Sequence, residues 1–249
     1  MGERAKGGVA LLVGAGDAIG AAVARKFAAG GYPVCIARRD ADKSRAVMEE
    51  IEASGGVARA VGTDVRSEEA VQALFANVEA ELGPVEICLF NAGANTRAPL
   101  TETSAALFTR VWQLACYGGF LTGREAARYM VPRGHGTILF TGATASVRGG
   151  AGFAAFAAAK FGLRAVAQSM AREFGPQNIH VAHLVIDGGL DSEAIHRRRA
   201  AAGETPADEL PRDSLIQTRT VAEAFWMLHH QPRDGWTHEL DLRPYIERW

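Results

Sequence analysis

Val9-Ala-Leu-Leu-Val13, then Gly14-Ala-Gly-Asp-Ala-Ile-Gly20, then Ala21-Ala-Val-Ala-Arg-Lys-Phe27 is the stretch that decides the fold. An apolar run bounded by glycines reads as a strand buried on both faces, and the Ala/Val/Phe spacing after it reads as a helix packed back on that strand. Strand, tight glycine turn and helix bring backbone N–H groups and the positive end of a helix close to a pyrophosphate. A Cβ at the crowded positions would block that approach. Gly14, Gly16, Asp17, Ile19 and Gly20 are therefore candidate cofactor-binding residues.

Working outward, Gly30-Gly31 closes the helix and Pro33-Val-Cys-Ile-Ala37 is predicted as the second strand. At such a strand tip a carboxylate accepts from the free ribose 2′-hydroxyl, whereas an arginine pairs with a 2′-phosphate. Here Ala37 is followed by Arg38 and Arg39, which favours NADP over NAD. Beyond them, apolar runs at Val57–Val61, Glu86–Phe90, Thr137–Phe140 and His180–Ile186 alternate with helical patterns. Those helices span Ala41–Ser54, a stretch opening at Ser67, Ser104 to about Met130, Phe153–Phe174 and Thr220–His230, with Pro132 to Gly136 expected to break the long third one. Thr237–Leu242 can add a last strand. Alternation throughout implies one α/β domain over residues 1–249, a doubly wound, Rossmann-like parallel sheet with right-handed crossovers. Between 191 and 213 the apolar pattern fades, as in a lid over a ligand crevice.

Composition fits that reading. With 249 residues the chain is long enough for one full core, and 48% hydrophobic residues with a net charge of -1 point to neither a nucleic-acid nor a membrane partner. Arg197-Arg-Arg199 is the densest basic cluster and has the character of a solvated helix face. Cys35, Cys88 and Cys116 lie in apolar segments without metal or redox spacing. The residues before Val9 leave no room for a secretory signal, so a cytoplasmic location is expected. His180 and His183 fall on opposite faces of a strand and His229-His230 are adjacent on a helix, so no metal site is expected.

These motifs together give the chain a resemblance to the short-chain dehydrogenases/reductases. That family's Thr-Gly-x-x-x-Gly-Ile-Gly turn corresponds to Val13-Gly14-Ala-Gly-Asp-Ala18-Ile19-Gly20, its adenine-contacting Asp-Val to Asp64-Val65, and its Asn-Asn-Ala-Gly to Phe90-Asn91-Ala92-Gly93. The Pro-Gly-x-x-x-Thr loop corresponds to Asp187-Gly188-Gly-Leu-Asp-Ser192, where Ser192 keeps a hydroxyl for the nicotinamide amide. The resemblance implies a carbonyl or alcohol oxidoreductase. It also implies a catalytic Tyr, Lys, Ser and Asn, and here the chain departs. Tyr-x-x-x-Lys is Phe156-Ala-Ala-Ala-Lys160, the Ser position is Ala143 and the Asn position Ala115. A phenol beside an ammonium can serve as acid and base, but a phenyl ring cannot. Thr144, one residue beyond the lost Ser, is the best replacement hydroxyl, and Lys160 either acts in the chemistry or only holds the ribose. Two functions therefore stay open: an NADP(H)-linked oxidoreductase with a reworked proton-transfer site, and a non-catalytic dinucleotide-binding sensor or assembly partner. The apolar Phe153–Phe174 helix leads us to expect a homodimer or homotetramer.

Overall fold

Every residue of β1 (Val9–Val13) is buried, and the glycine turn after it delivers the chain into α1 (Ile19–Ala29). The computed structural model describes residues 8–247. The chain continues through β2 (Val34–Arg38), α2 (Arg45–Ala53), β3 (Ala58–Gly62), α3 (Glu68–Glu81), β4 (Val85–Phe90), α4 (Ala105–Trp112), α5 (Gly118–Arg133) and β5 (Gly136–Thr141). It ends with α6 (Ala154–Phe174), β6 (Ile179–Ile186), α7 (Glu193–Ala201), α8 (Thr218–His229) and β7 (Glu239–Leu242). The seven strands form one sheet in the order β3-β2-β1-β4-β5-β6-β7, and every neighbouring pair is parallel. This is the doubly wound α/β architecture, with its crevice at the carboxyl ends of β1 and β4, where the strand order reverses.

Side-chain alternation divides the core. Leu11, Val13, Phe90, Phe140 and Val181 face α3, α5 and α6, while Ala10, Leu12, Leu89, Ala182 and Leu184 face α1, α2 and α8. His183 therefore lies on the α6 side of β6 and His180 on the other, as the spacing requires. Phe27 ties α1 to α8: its ring is fully buried and packs edge-on against Trp226 at 5.3 Å and Tyr32 at 5.8 Å.

Three sequence expectations need correction. β2 extends one residue further than expected, so Arg38 is its last residue. The long helix is not uniform: Gln113–Tyr117 form a π turn between α4 and α5. Gly118 and Gly119 follow it, and added Cβ atoms there would come within 2.9 Å of Val65 and 2.3 Å of Leu163. The wider turn keeps Val111 and Ala115 buried while bringing these glycines into close packing. Pro132 does not stop α5 but sits in its last turn, where it removes one ladder bond only. Gly134, left-handed at φ 68°, ends the helix. No helix among the described residues is long and apolar enough to cross a membrane, and Met1–Lys6 lie outside those residues.

Deleting the Phe27 ring leaves a cavity between α1 and α8 that neither element can close. Phe27→Ala should lower the unfolding free energy by about 3–5 kcal/mol. Urea denaturation measures this, and a loss under about 1 kcal/mol would show that α8 does not depend on this contact.

Candidate functional site

The crevice is a cavity of about 660 Å³ bounded by the carboxyl ends of the central strands and by the segment that carries α7. Its floor begins with the glycine turn. Gly14 has φ +75°, and a Cβ there would lie 2.4 Å from the Ala92 backbone nitrogen. Gly20 is equally tight, 2.5 Å from Ala15, whereas Gly16 faces open space. Two glycines thus allow close packing and the third leaves the approach to α1 clear. No side chain caps the first turn of α1; the Ala21 and Ala22 N–H groups donate to the Gly16 and Ala18 carbonyls, and those of Ile19 and Gly20 are the ones at the helix start placed for a ligand. These features fit the pyrophosphate of a dinucleotide.

The basic strand end is already engaged. Arg38 donates from Nη1 to Asp17 Oδ1 at 2.6 Å and to the Lys43 carbonyl at 3.3 Å, which fixes it beside the turn. Arg39 is exposed, and its charge reaches Asp64. Asp64 accepts from Arg66 through Nε at 2.9 Å and Nη2 at 2.5 Å, and these bonds hold its carboxyl below the ordinary carboxylate range. Val65 is buried against Gly118. Asn91 is anchored by its N–H to the Val13 carbonyl and by Nδ2 to the Gly14 carbonyl, and Gly93 lies alongside Lys160. Ser192 caps α7 by accepting from the Ile195 N–H, while Gly188 has φ +149° against Pro244.

Lys160 projects from α6 to the cavity wall, 4% exposed, and donates to the Thr141 carbonyl at 2.7 Å. No carboxylate charge offsets its burial among the described residues. Its ammonium stands 5.9 Å from the centre of the Phe156 ring, and burial lowers its pKa to about 8. Ala143, Phe156 and the Thr144 hydroxyl line the same cavity as Lys160, and Ala115 is buried with Phe156 in one apolar cluster. That hydroxyl donates to Asp187 Oδ1 at 2.7 Å. Asp187 is fully buried and also receives Arg148 at 3.1 Å and Arg243 at 3.3 Å, while Arg148 pairs with Glu247 at 3.0 Å.

Arg148 and Glu247 had no sequence signal, because the residues they join lie far apart in the chain. Arg198 is a correction of another kind: it lines the cavity, so part of the basic cluster on α7 faces the crevice and not only solvent.

A parallel sheet whose glycine turn meets a helix start at the switch point defines a nucleotide-binding α/β protein. Residues 8–202 match the short chain dehydrogenase family. The chain belongs to that family. It is 46% identical to a short-chain dehydrogenase of Rhodopseudomonas palustris, whose crystal structure superposes with a TM-score of 0.80 over 96% of this chain and 99% of the other. A metagenomic short-chain oxidoreductase solved with NADP is 26% identical, with a TM-score of 0.82 over 98% and 100% of the two chains. A cis-4-hydroxycyclohexanecarboxylate dehydrogenase of Sinomonas cyclohexanicum is 33% identical over 92% of this chain and 91% of its own.

A buried ammonium without a counter-charge weakens the fold when protonated. Between a folded pKa of about 8 and the unfolded 10.5, the unfolded chain holds a proton that the folded chain has released, so this group makes stability rise with pH across that window. Lys160→Met should therefore be more stable than the parent at pH 7, by up to about 3 kcal/mol. The gap should narrow steadily from pH 8 to 10.5. Urea midpoints of both proteins at pH 7 and 10 test it, and a constant gap would contradict the assignment.

Proposed function

We propose that the protein is an NADP(H)-dependent oxidoreductase of a small carbonyl or alcohol, in which Lys160 carries the proton that the missing phenol would have handled. The observation that carries this reading is the Lys160 ammonium itself, buried at the cavity wall with one hydrogen bond and a pKa near 8. A group poised there gives up a proton and takes one back at physiological pH, as a general acid and base must. When bound, a nicotinamide supplies or accepts the hydride. The glycine turn and the first turn of α1 would hold its pyrophosphate, Asp64 and Val65 its adenine, Asn91, Ala92, Gly93 and Lys160 the nicotinamide ribose, and Gly188 and Ser192 the amide.

Thr144 plays a different part from the lost Ser. Its only proton is committed to Asp187, so its oxygen remains as an acceptor that orients a substrate hydroxyl. Phe153, Phe156, Ile186 and Leu190 give the cavity apolar walls, which suit a compact ring or short chain. The relative acting on a cyclic hydroxy acid is consistent with that size. Free, buried Cys35, Cys88 and Cys116 support a reducing, cytoplasmic setting.

For the cofactor, Arg38 keeps donors beyond those it gives to Asp17, and these can fork onto a 2′-phosphate. Calorimetry should show NADP+ binding more tightly than NAD+, with Arg38→Ala losing about tenfold for NADP+ only. Asp17→Asn, which removes a negative charge from the phosphate's side, should strengthen NADP+ binding. Preference for NAD+ in the parent would reverse the assignment.

NADPH oxidation over a panel of small cyclic and acyclic ketones tests the chemistry. Lys160→Ala should cost on the order of 10²- to 10⁴-fold in kcat, and Thr144→Ala about tenfold. Turnover that survives Lys160→Ala would remove it as the acid. NADPH binding with no turnover on any substrate would leave the sensor or assembly reading in its place.

A second copy of the chain is the proposed partner. Phe108 and Trp112 on α4 and Phe161 on α6 are 38%, 38% and 42% exposed on neighbouring helices, an apolar surface that a homodimer or homotetramer would cover. Sedimentation of the parent as an oligomer, and of Trp112→Glu with Phe161→Glu as a monomer, is the expected result. A monomeric parent at micromolar concentration would refute it.

A further inference from the structure

The excursion of the chain that carries α7 is pinned at both of its ends. Leu190 and Ile216 form a parallel bridge, the Asp191 N–H donates to the Ile216 carbonyl at 2.8 Å, and the Ile216 N–H donates to the Gly189 carbonyl at 2.8 Å. The Asp191 carboxylate adds two side-chain ties, accepting from Gln217 Nε2 at 2.8 Å and from His196 Nε2 at 2.7 Å. Ser192 then caps the helix. From this fixed neck, helical spacing decides which residues turn to the crevice. Arg198 stands four residues from Ala194 and three from Ile195, hence on one face with them, and all three line the cavity.

The three arginines of α7 have different surroundings. Arg197 donates to Glu193 at 2.9 Å. Arg199 donates to the Thr205 carbonyl at 2.9 Å and pairs with Glu204 at 3.0 Å. Asp191, Glu193 and Glu204, the acids closest to Arg198 in the chain, are thereby engaged elsewhere. The Arg198 guanidinium makes no ion pair or hydrogen bond among the described residues, and it is the one of the three that lines the cavity.

Charges around the cavity are unbalanced in the same direction. Arg148 is matched by Asp187 and by Glu247, which is the one carboxylate lining the cavity among the described residues. Lys160 is buried with no carboxylate charge against it. Arg198 and protonated Lys160 are thus two positive groups bordering one partly apolar space, and no anion answers either of them. A cleft lined by one sign of charge draws a ligand of the other, and a planar guanidinium takes a carboxylate through two parallel hydrogen bonds.

We propose that Arg198 binds a carboxylate of the substrate, which makes the substrate a small oxo acid or the corresponding hydroxy acid, held with its acid group at α7 and its reacting oxygen at Lys160. The substrate class rests on the oxidoreductase reading given above, whereas the anion site rests on α7 and the cavity alone. A cofactor phosphate offers the same chemistry, but the Ile19 and Gly20 N–H groups are placed to receive it, which leaves Arg198 for the carboxylate.

Benzoate and benzamide are alike in shape, differ in charge and do not react with a nicotinamide, so they test the anion site without reference to turnover. In calorimetry on the parent, with and without NADP+, benzoate should bind at least about tenfold more tightly than benzamide. Arg198→Gln should erase that preference and leave benzamide binding unchanged, Arg198→Lys should keep part of it, and Arg197→Gln on the same helix should keep all of it. Equal binding of the two probes by the parent, binding of neither, or a preference that survives Arg198→Gln overturns the proposal. A fall in NADP+ affinity in Arg198→Gln with the benzoate preference intact assigns the residue to a cofactor phosphate and overturns it as well. In turnover with NADPH, keto acids should be better substrates than their methyl esters, and Arg198→Gln should raise KM at least about tenfold for the acids only. Esters reduced as well as the acids by the parent overturn the substrate class. A parent that reduces nothing defeats the oxidoreductase reading, while the benzoate titration of the same protein still decides the anion site.

Discussion

An ammonium sealed beneath a helix with one carbonyl to hold it constrains whatever is built around it. Lys160 is 4% exposed, at the cavity wall, and among the described residues no carboxylate charge offsets its burial. Such a group survives only where its surroundings offer polarity without a full counter-charge. The Thr141 carbonyl, the face of the Phe156 ring and the open cavity provide that in part. The position of α6 on the sheet matters here, because Leu163 and Ala167 seat the helix against the sheet and the lysine one turn earlier reaches the end of β5.

The opposite wall depends on a second buried charge with a different resolution. Asp187 is surrounded by three partners from two places in the chain: Thr144 and Arg148 after β5, and Arg243 after β7. Charge-assisted bonds of this kind make an otherwise costly carboxylate tolerable and give it a single geometry. The result is a brace that draws the C-terminal segment onto the crevice, with Glu247 extending it through Arg148. Where most of the family's pattern places a proline, this chain places a tie.

Local pattern made much of this legible. Strand runs, glycine stops and the Ser67 and Ser104 helix starts are encoded within a few residues, and both serines do cap their helices. The cradle glycines were readable because steric demand leaves a residue type behind. The π turn was not, since it sits where Gly118 and Gly119 pack closely on Val65 and Leu163, contacts that belong to the tertiary structure. Arg148, Glu247 and the His183–Glu239 pairing escaped for the same reason. His183 could be assigned to a face of β6 from spacing, but what lay across that face belonged to α6 and β7. Spacing argued against a metal site there without revealing the Glu239 carboxylate, whose Oε2 lies 3.4 Å from His183 Nδ1.

The packing of α8 on α1 bears on how the molecule comes into being. Val23, Ala24 and Phe27 are covered by Val221, Phe225 and Leu228, residues separated by most of the chain. While the protein is being synthesised, the first strand–helix unit therefore leaves the ribosome with an apolar face that nothing yet made can cover. Local contacts form early, but this closure waits for α8, which raises the contact order and lengthens exposure of that face. The glycine turn that leads into α1 is therefore fully braced only after α8, far along the sequence from it, has been made.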